Sequence, residues 1–196
     1  MHLLLVTGFL GSGKTTLMLG LARAAQNAGR RTAIIVNEIG EIGIDNQLMR
    51  QLQLDVWELF NGCICCTLTA DLVSTLQKLD ADYAPDLVMV EPSGAADPGN
   101  LLRALPYYKG RPLESIRWVA VLDPLRLPML LEILTPLITA GIRQADCLII
   151  SKADLATQNE LAQAIRATRE INPQSPLFCE ALGRELAPEL AASLLP

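Results

Sequence analysis

Two short stretches of this chain carry residue types that can do chemistry. The first is Gly8-Phe9-Leu10-Gly11-Ser12-Gly13-Lys14-Thr15, which has the spacing G-x-x-x-x-G-K-[ST]. Glycine at Gly8, Gly11 and Gly13 permits turns that a side chain forbids, and lets backbone N–H groups approach an anion. A helix opening at the end of the loop points its positive dipole end at the same anion. Lys14 adds a point charge for terminal phosphates, and the Thr15 hydroxyl suits a magnesium ion. The stretch therefore reads as a cradle for a nucleoside triphosphate rather than as a turn that binds nothing.

The second stretch is Glu58-Leu59-Phe60-Asn61-Gly62-Cys63-Ile64-Cys65-Cys66-Thr67. Once deprotonated, Cys63, Cys65 and Cys66 can converge on one soft metal ion. Three thiolates do not close a four-ligand structural zinc site. A further ligand would come from Glu38, solvent or a partner, and such an open site suits transient carriage of a metal. Structural packing or redox activity is the alternative for these thiols. For Cys147 and Cys179, which fall in apolar runs, packing is the expectation.

Three more loops follow apolar runs. Residues 37–45 alternate glycines with Glu38, Glu41 and Asp45, and such a segment can deliver a carboxylate to a metal. Glu91, at the end of Leu87-Val88-Met89-Val90, stands where a magnesium–water ligand is needed opposite a phosphate loop. Gly94 can offer its N–H to a terminal phosphate, an interaction that exists only until hydrolysis, as in a switch. The third loop is Ser151-Lys152-Ala153-Asp154. The Asp154 carboxylate can accept both the ring N–H and the exocyclic amine of guanine, whereas adenine would leave it unpaired. The Lys152 stem can cover one face of the base. This tips the nucleotide to GTP over ATP.

The elements that must hold these loops follow from hydrophobic periodicity. Strands are expected over 3–7, 32–36, 56–59, 87–90, 118–122, 147–150 and 177–179. Helices are expected over 15–28, 70–79, 98–105, 124–140, 158–171 and 185–194, with Pro136 kinking the fourth. The alternation argues an α/β layered fold with a mostly parallel central sheet flanked by helices, its ligand site at the carboxyl ends of the strands.

At 196 residues the chain is expected to form one domain. Its net charge of −5 gives no basic footprint for nucleic acid. No apolar run reaches membrane-spanning length, and a cytoplasmic location is expected. Five cysteines, three of them clustered, make a poor disulfide framework.

The pieces GFLGSGKTT, NEIGEIGID, ELFNGCICCT, EPSGAADP and SKADL, in that order from Gly8 to Leu155, resemble the GTPase domain of the CobW family. The resemblance implies the three-layer P-loop NTPase fold and a magnesium-dependent GTPase that serves as a metallochaperone or maturation factor. It implies that Lys14, Thr15 and Thr16, with Gly8, Gly11, Ser12, Gly13 and Gly94, engage phosphate and magnesium. Glu38 and Glu91 would lie on the magnesium side, as catalytic residues with Lys14. Cys63, Cys65 and Cys66 would bind zinc or cobalt. Ser151, Lys152 and Asp154 would read guanine. The client would be a metalloenzyme or a corrinoid protein, and nucleotide-dependent homodimerisation is a further expectation. The alternative in the same class is a nucleotide-dependent gate for a cobalamin or other cofactor enzyme. Two departures stand out. Ser151 occupies a position usually held by asparagine, so amide hydrogen bonds to the base and the phosphate loop should be missing. The C-terminal domain and histidine-rich stretch of longer relatives have no counterpart in these 196 residues.

Overall fold

The computed structural model describes residues 1–36, 55–58, 68–92, 98–183 and 185–196. Seven strands form one sheet: β1 (His2–Thr7), β2 (Thr32–Val36), β3 (Asp55–Glu58), β4 (Leu87–Glu91), β5 (Ser115–Leu122), β6 (Cys147–Ile150) and β7 (Leu177–Cys179). Their spatial order is β3-β2-β4-β1-β5-β6-β7, and every pairing is parallel. The four central residues of β1, all of β2 and all of β6 are buried. These strands are continuous apolar runs because helices cover both sheet faces.

Among the described residues the helices are α1 (Lys14–Asn27), α2 (Leu68–Asp82), α3 (Pro98–Ala104), α4 (Leu127–Ile133), α5 (Thr135–Gln144), α6 (Gln158–Ile171) and α7 (Pro188–Leu194). A single 3-10 turn, Leu105–Tyr107, follows α3. Helices α1 and α7 supply Leu17, Leu21, Leu190 and Leu194 to the core on one face of the sheet. The opposite core takes Leu72, Leu76 and Leu79 from α2, Leu127 from α4 and Ile142 from α5. Gly20 in α1 marks a close approach: a Cβ there would lie 2.6 Å from Leu186 Cγ.

The helix expected over 124–140 is instead two. Arg126 precedes α4 and Leu134 separates α4 from α5, with Pro128 and Pro136 each in the first turn of its helix. Proline lacks the N–H that a helix interior requires but is suited to the first turn, so each starts a helix rather than kinking one. No described helix is long and apolar enough to cross a membrane.

Away from the carboxyl ends of the strands, one polar cluster ties the sheet to its connections. Asp80, near the end of α2, accepts from the Arg111 backbone N–H at 2.7 Å and from its Nε at 2.5 Å. Burial pushes the Asp80 carboxyl up, but the two Arg111 hydrogen bonds and the Tyr108 hydroxyl outweigh it and hold it below its ordinary value. Burial and the Asp80 carboxylate push the Tyr108 phenol up to about 12.

Candidate functional site

β1 runs into α1 through the glycine loop, the strand–loop–helix setting that the spacing requires. Gly8, Gly11 and Gly13 have φ of +150°, +76° and +96°. At Gly8 a Cβ would sit 2.3 Å from the Val121 carbonyl oxygen and 2.6 Å from Ser12 Oγ. No other residue fits there. Gly13 is the N-cap of α1 and offers no side chain to the helix's first N–H groups, which leaves those donors for an anion. Ser12 Oγ is buried with no hydrogen-bond partner among the described residues, a second donor that an anion in the loop could satisfy. The loop therefore fits a phosphate chain.

Lys14 is buried, and its Nζ lies 3.3 Å from Glu91 Oε1 and 3.4 Å from the Phe9 carbonyl oxygen that accepts from it. Thr15 Oγ1 donates to Glu91 Oε2 at 3.3 Å. Both reactive side chains of the loop thus converge on the one carboxylate that ends β4. β4 lies beside β1 in register, which is why Glu91 faces the loop. A hydroxyl and a carboxylate oxygen at this separation suit a hard divalent cation such as magnesium. Thr16 is exposed in the first turn of α1.

On the other side of β1 the strand ends are bound to one another. The Ser151 hydroxyl, at the end of β6, donates to the Ser12 carbonyl in the loop at 2.6 Å and to the Leu122 carbonyl at 3.1 Å. Serine has no amide to offer, but its short hydroxyl is buried and bonds to the phosphate loop directly. Lys152 has φ of +52° and donates to Asp123 Oδ2 at 2.7 Å. Asp123 is 5% exposed and also accepts from the Leu125 N–H at 3.0 Å. Asp154 is exposed. Arg126, two residues beyond Pro124, donates to the Leu10 carbonyl on the outer limb of the loop at 3.0 Å. Beneath the loop, the Trp118 indole N–H donates to Thr7 Oγ1 at 2.9 Å, and Thr7 donates to the Val119 carbonyl at 3.2 Å.

Asp123 and Arg126 are the residues that sequence reasoning missed. Neither belongs to a spaced motif. The usable signal is position: Asp123 follows an apolar parallel strand directly, as Ser151 does, and such residues meet at one rim. The same rim opens below Phe9 and Ser12 into a small cavity of about 60 Å³ that continues between β5 and helices α4 and α5. Its walls there are aliphatic (Leu122, Leu127, Leu130, Ile138), so anions belong to the N–H face of the loop instead.

Glu38, Cys63, Cys65, Cys66 and Gly94 lie outside the described residues. Cys147 is buried and burial pushes its thiol up to about 11, which suits packing and opposes thiolate chemistry. Cys179, expected to pack, is exposed instead, because β7 is an edge strand.

The profile of CobW/HypB/UreG, nucleotide-binding domain, matches residues 2–179. The chain belongs to that family. A zinc chaperone CobW from a Sinorhizobium species is 40% identical over 106 residues, 50% of this chain and 29% of the relative. The zinc-regulated GTPase metalloprotein activator 1 of Schizosaccharomyces pombe is 30% identical over 194 residues, 92% of this chain and 46% of the relative. Among solved structures, Zn(II)-bound YjiA GTPase from E. coli superposes with a TM-score of 0.69 at 22% identity. That match covers 97% of this chain and 60% of the other. The fold is thereby that of the P-loop GTPases. The chain spans less than half the length of these two curated relatives.

Proposed function

We propose that this family member binds and hydrolyses GTP with magnesium and couples its nucleotide state to carriage of a transition metal. The observation that carries the nucleotide part is the convergence of Lys14 and Thr15 on Glu91 across an uncapped helix start. In this reading the Lys14 ammonium leaves Glu91 for the terminal phosphates. Magnesium would be held by Thr15 and, directly or through water, by Glu91; it supplies charge neutralisation of the phosphates. The loop N–H groups orient the phosphate chain, and the buried Ser12 hydroxyl donates to it. Lys152 covers one face of the base and Asp154 accepts from guanine, favouring GTP over ATP. Glu38 and Gly94 belong to this reading by motif: Glu38 on the metal side, Gly94 at the terminal phosphate.

The metal is cargo. The motif Cys63-Ile64-Cys65-Cys66 supports a thiolate site, and the names of the relatives support zinc ahead of cobalt. The client is a metalloenzyme that accepts the ion. Zinc affinity measured with a non-hydrolysable GTP analogue and with GDP tests the coupling. The expected result is an affinity that differs at least tenfold between the two states. Equal affinities would leave hydrolysis nothing to act through.

A further inference from the structure

Beside the loop end that carries Lys152 lies an ion pair whose carboxylate, Asp123, no motif covers. Lys152 and Asp123 follow neighbouring parallel strands, β6 and β5, and meet at 2.7 Å. The pair is lopsided: the carboxylate is 5% exposed and the lysine 34%. Asp123 is fully engaged, with Leu125 N–H on Oδ1 and Lys152 on Oδ2. Its backbone carbonyl also accepts from the Arg126 and Leu127 N–H groups as α4 begins. It is thus a fixed point, and the lysine is the part that would otherwise move.

Lys152 sits in the left-handed region, which a non-glycine residue adopts only when its surroundings impose it. The surroundings that do so are the Ser151 bonds to Leu122 and Ser12, the Ala153 N–H to the Glu180 carbonyl, and Asp123 on the side chain. With both ends anchored, the four-carbon stem spans from the end of β6 to the end of β5. The preceding residue borders the phosphate loop, since Ser151 Cβ lies 3.7 Å from where a Cβ on Gly13 would be. A free lysine stem samples many rotamers and makes a poor wall; this one is held.

We propose that Asp123 is the positioning residue of the base pocket: it anchors the Lys152 ammonium so that the methylene stem is fixed where it covers the base. The proposal rests on the guanine-nucleotide reading above. Its test is a double-mutant cycle on GDP affinity, measured on the full chain. Asp123→Asn and Lys152→Met should each weaken GDP about tenfold, and the double variant should be no weaker than either single one. Inosine diphosphate should weaken by the same factor as GDP, because stem coverage ignores the exocyclic amine; Asp154→Ala, by contrast, should erase the preference for GDP over inosine diphosphate. A purely structural role for Asp123 would instead make the losses multiply in the double variant. Wild-type GDP affinity in Asp123→Asn, or losses that multiply to about a hundredfold in the double variant, would overturn the proposal. Should Asp123→Asn not fold, Asp123→Glu carries the test and should bind GDP more weakly than wild type while melting normally. Failure of both to fold, with Lys152→Met folded, would assign Asp123 to holding the chain and overturn the proposal as well. Equal wild-type affinity for GDP and ADP would break the guanine reading instead, and the cycle would then be run with ADP.

Discussion

Two lysine–carboxylate pairs flank the glycine loop, and they are built to opposite ends. Lys14–Glu91 spans 3.3 Å, and its carboxylate also receives Thr15. Lys152–Asp123 spans 2.7 Å, and its carboxylate is locked by a backbone N–H. In the proposed function the first pair joins the two groups that phosphate and magnesium would each claim, so it would be a placeholder that the ligand replaces. The second involves no group a phosphate needs, and its lysine is held in a strained backbone conformation. On that reading one pair would be exchanged on binding and the other would stay. Distance and burial alone do not distinguish them; what else each carboxylate binds does.

The largest effect that would break this contrast comes from the loop beneath both pairs. Gly8→Ala should abolish measurable nucleotide binding and cost about 3 kcal/mol or more of stability, read by urea unfolding and nucleotide titration. The added methyl meets the Val121 carbonyl, which is backbone and cannot swing aside. Next is Lys14→Ala, for which triphosphate affinity should fall roughly 100-fold, as expected when a buried charge–phosphate pairing is removed. The unfolding midpoint should move little. Wild-type affinity in that variant would remove Lys14 from the site.

Glu91→Gln separates the two pairs most directly. Magnesium-dependent hydrolysis should fall about 100-fold. Affinity for GTP measured without magnesium should rise several-fold, roughly 1 kcal/mol, because Lys14 no longer has an internal carboxylate competing with phosphate. Removal of Asp123 is expected to lower affinity, so the two substitutions should move magnesium-free binding in opposite directions. Movement in the same direction would erase the distinction between a placeholder and a permanent pair.

Much of this is legible in the sequence. All seven strands appear where apolar runs place them, most clearly β1, β2 and β6, because a strand buried on both faces must be apolar throughout. The loop spacing locates Lys14 and Thr15, and Glu91 follows from its place at a strand end. Ends are less legible. β5 begins at Ser115 rather than 118, since the charged Arg117 interrupts the apolar run. The region after β5 misleads: its apolar periodicity runs on past Pro136 as though through one helix, whereas Pro128 and Pro136 each open their own. Asp123 shows only its position after a strand, and the roles of Asp123 and Arg126 are hidden for a different reason. Their role arises from tertiary proximity to Lys152 and Leu10, and a lone acid or base after a strand has no partner spacing to reveal it.

Two smaller effects sharpen the contrast by marking what lies outside it. Asp80 is held below its ordinary pKa of 3.8. Its folded carboxylate therefore stabilises the chain above that value, and the contribution is lost as pH falls through the lower folded value. Asp80→Asn should flatten the acid limb of a stability–pH curve below about pH 4 and leave GDP affinity at pH 7 unchanged. Smallest is the start of α6, three residues after Asp154. Thr157 and Glu160 form a capping box there. Thr157→Ala should cost about 1 kcal/mol in thermal or urea unfolding, with the Lys152–Asp123 coupling intact. A matching loss of GDP affinity would mean that the base side senses general loosening rather than its own ion pair.

The Trp118 indole ends on Thr7, the last residue before Gly8. The chain has two tryptophans, and replacing Trp57 by phenylalanine leaves Trp118 as a single fluorophore with its N–H one residue from the loop. Ligand arrival that shifts Thr7 changes the hydrogen bond on that indole and hence its emission. The expected outcome is a change in Trp118 emission on nucleotide addition, read by stopped flow without any attached dye.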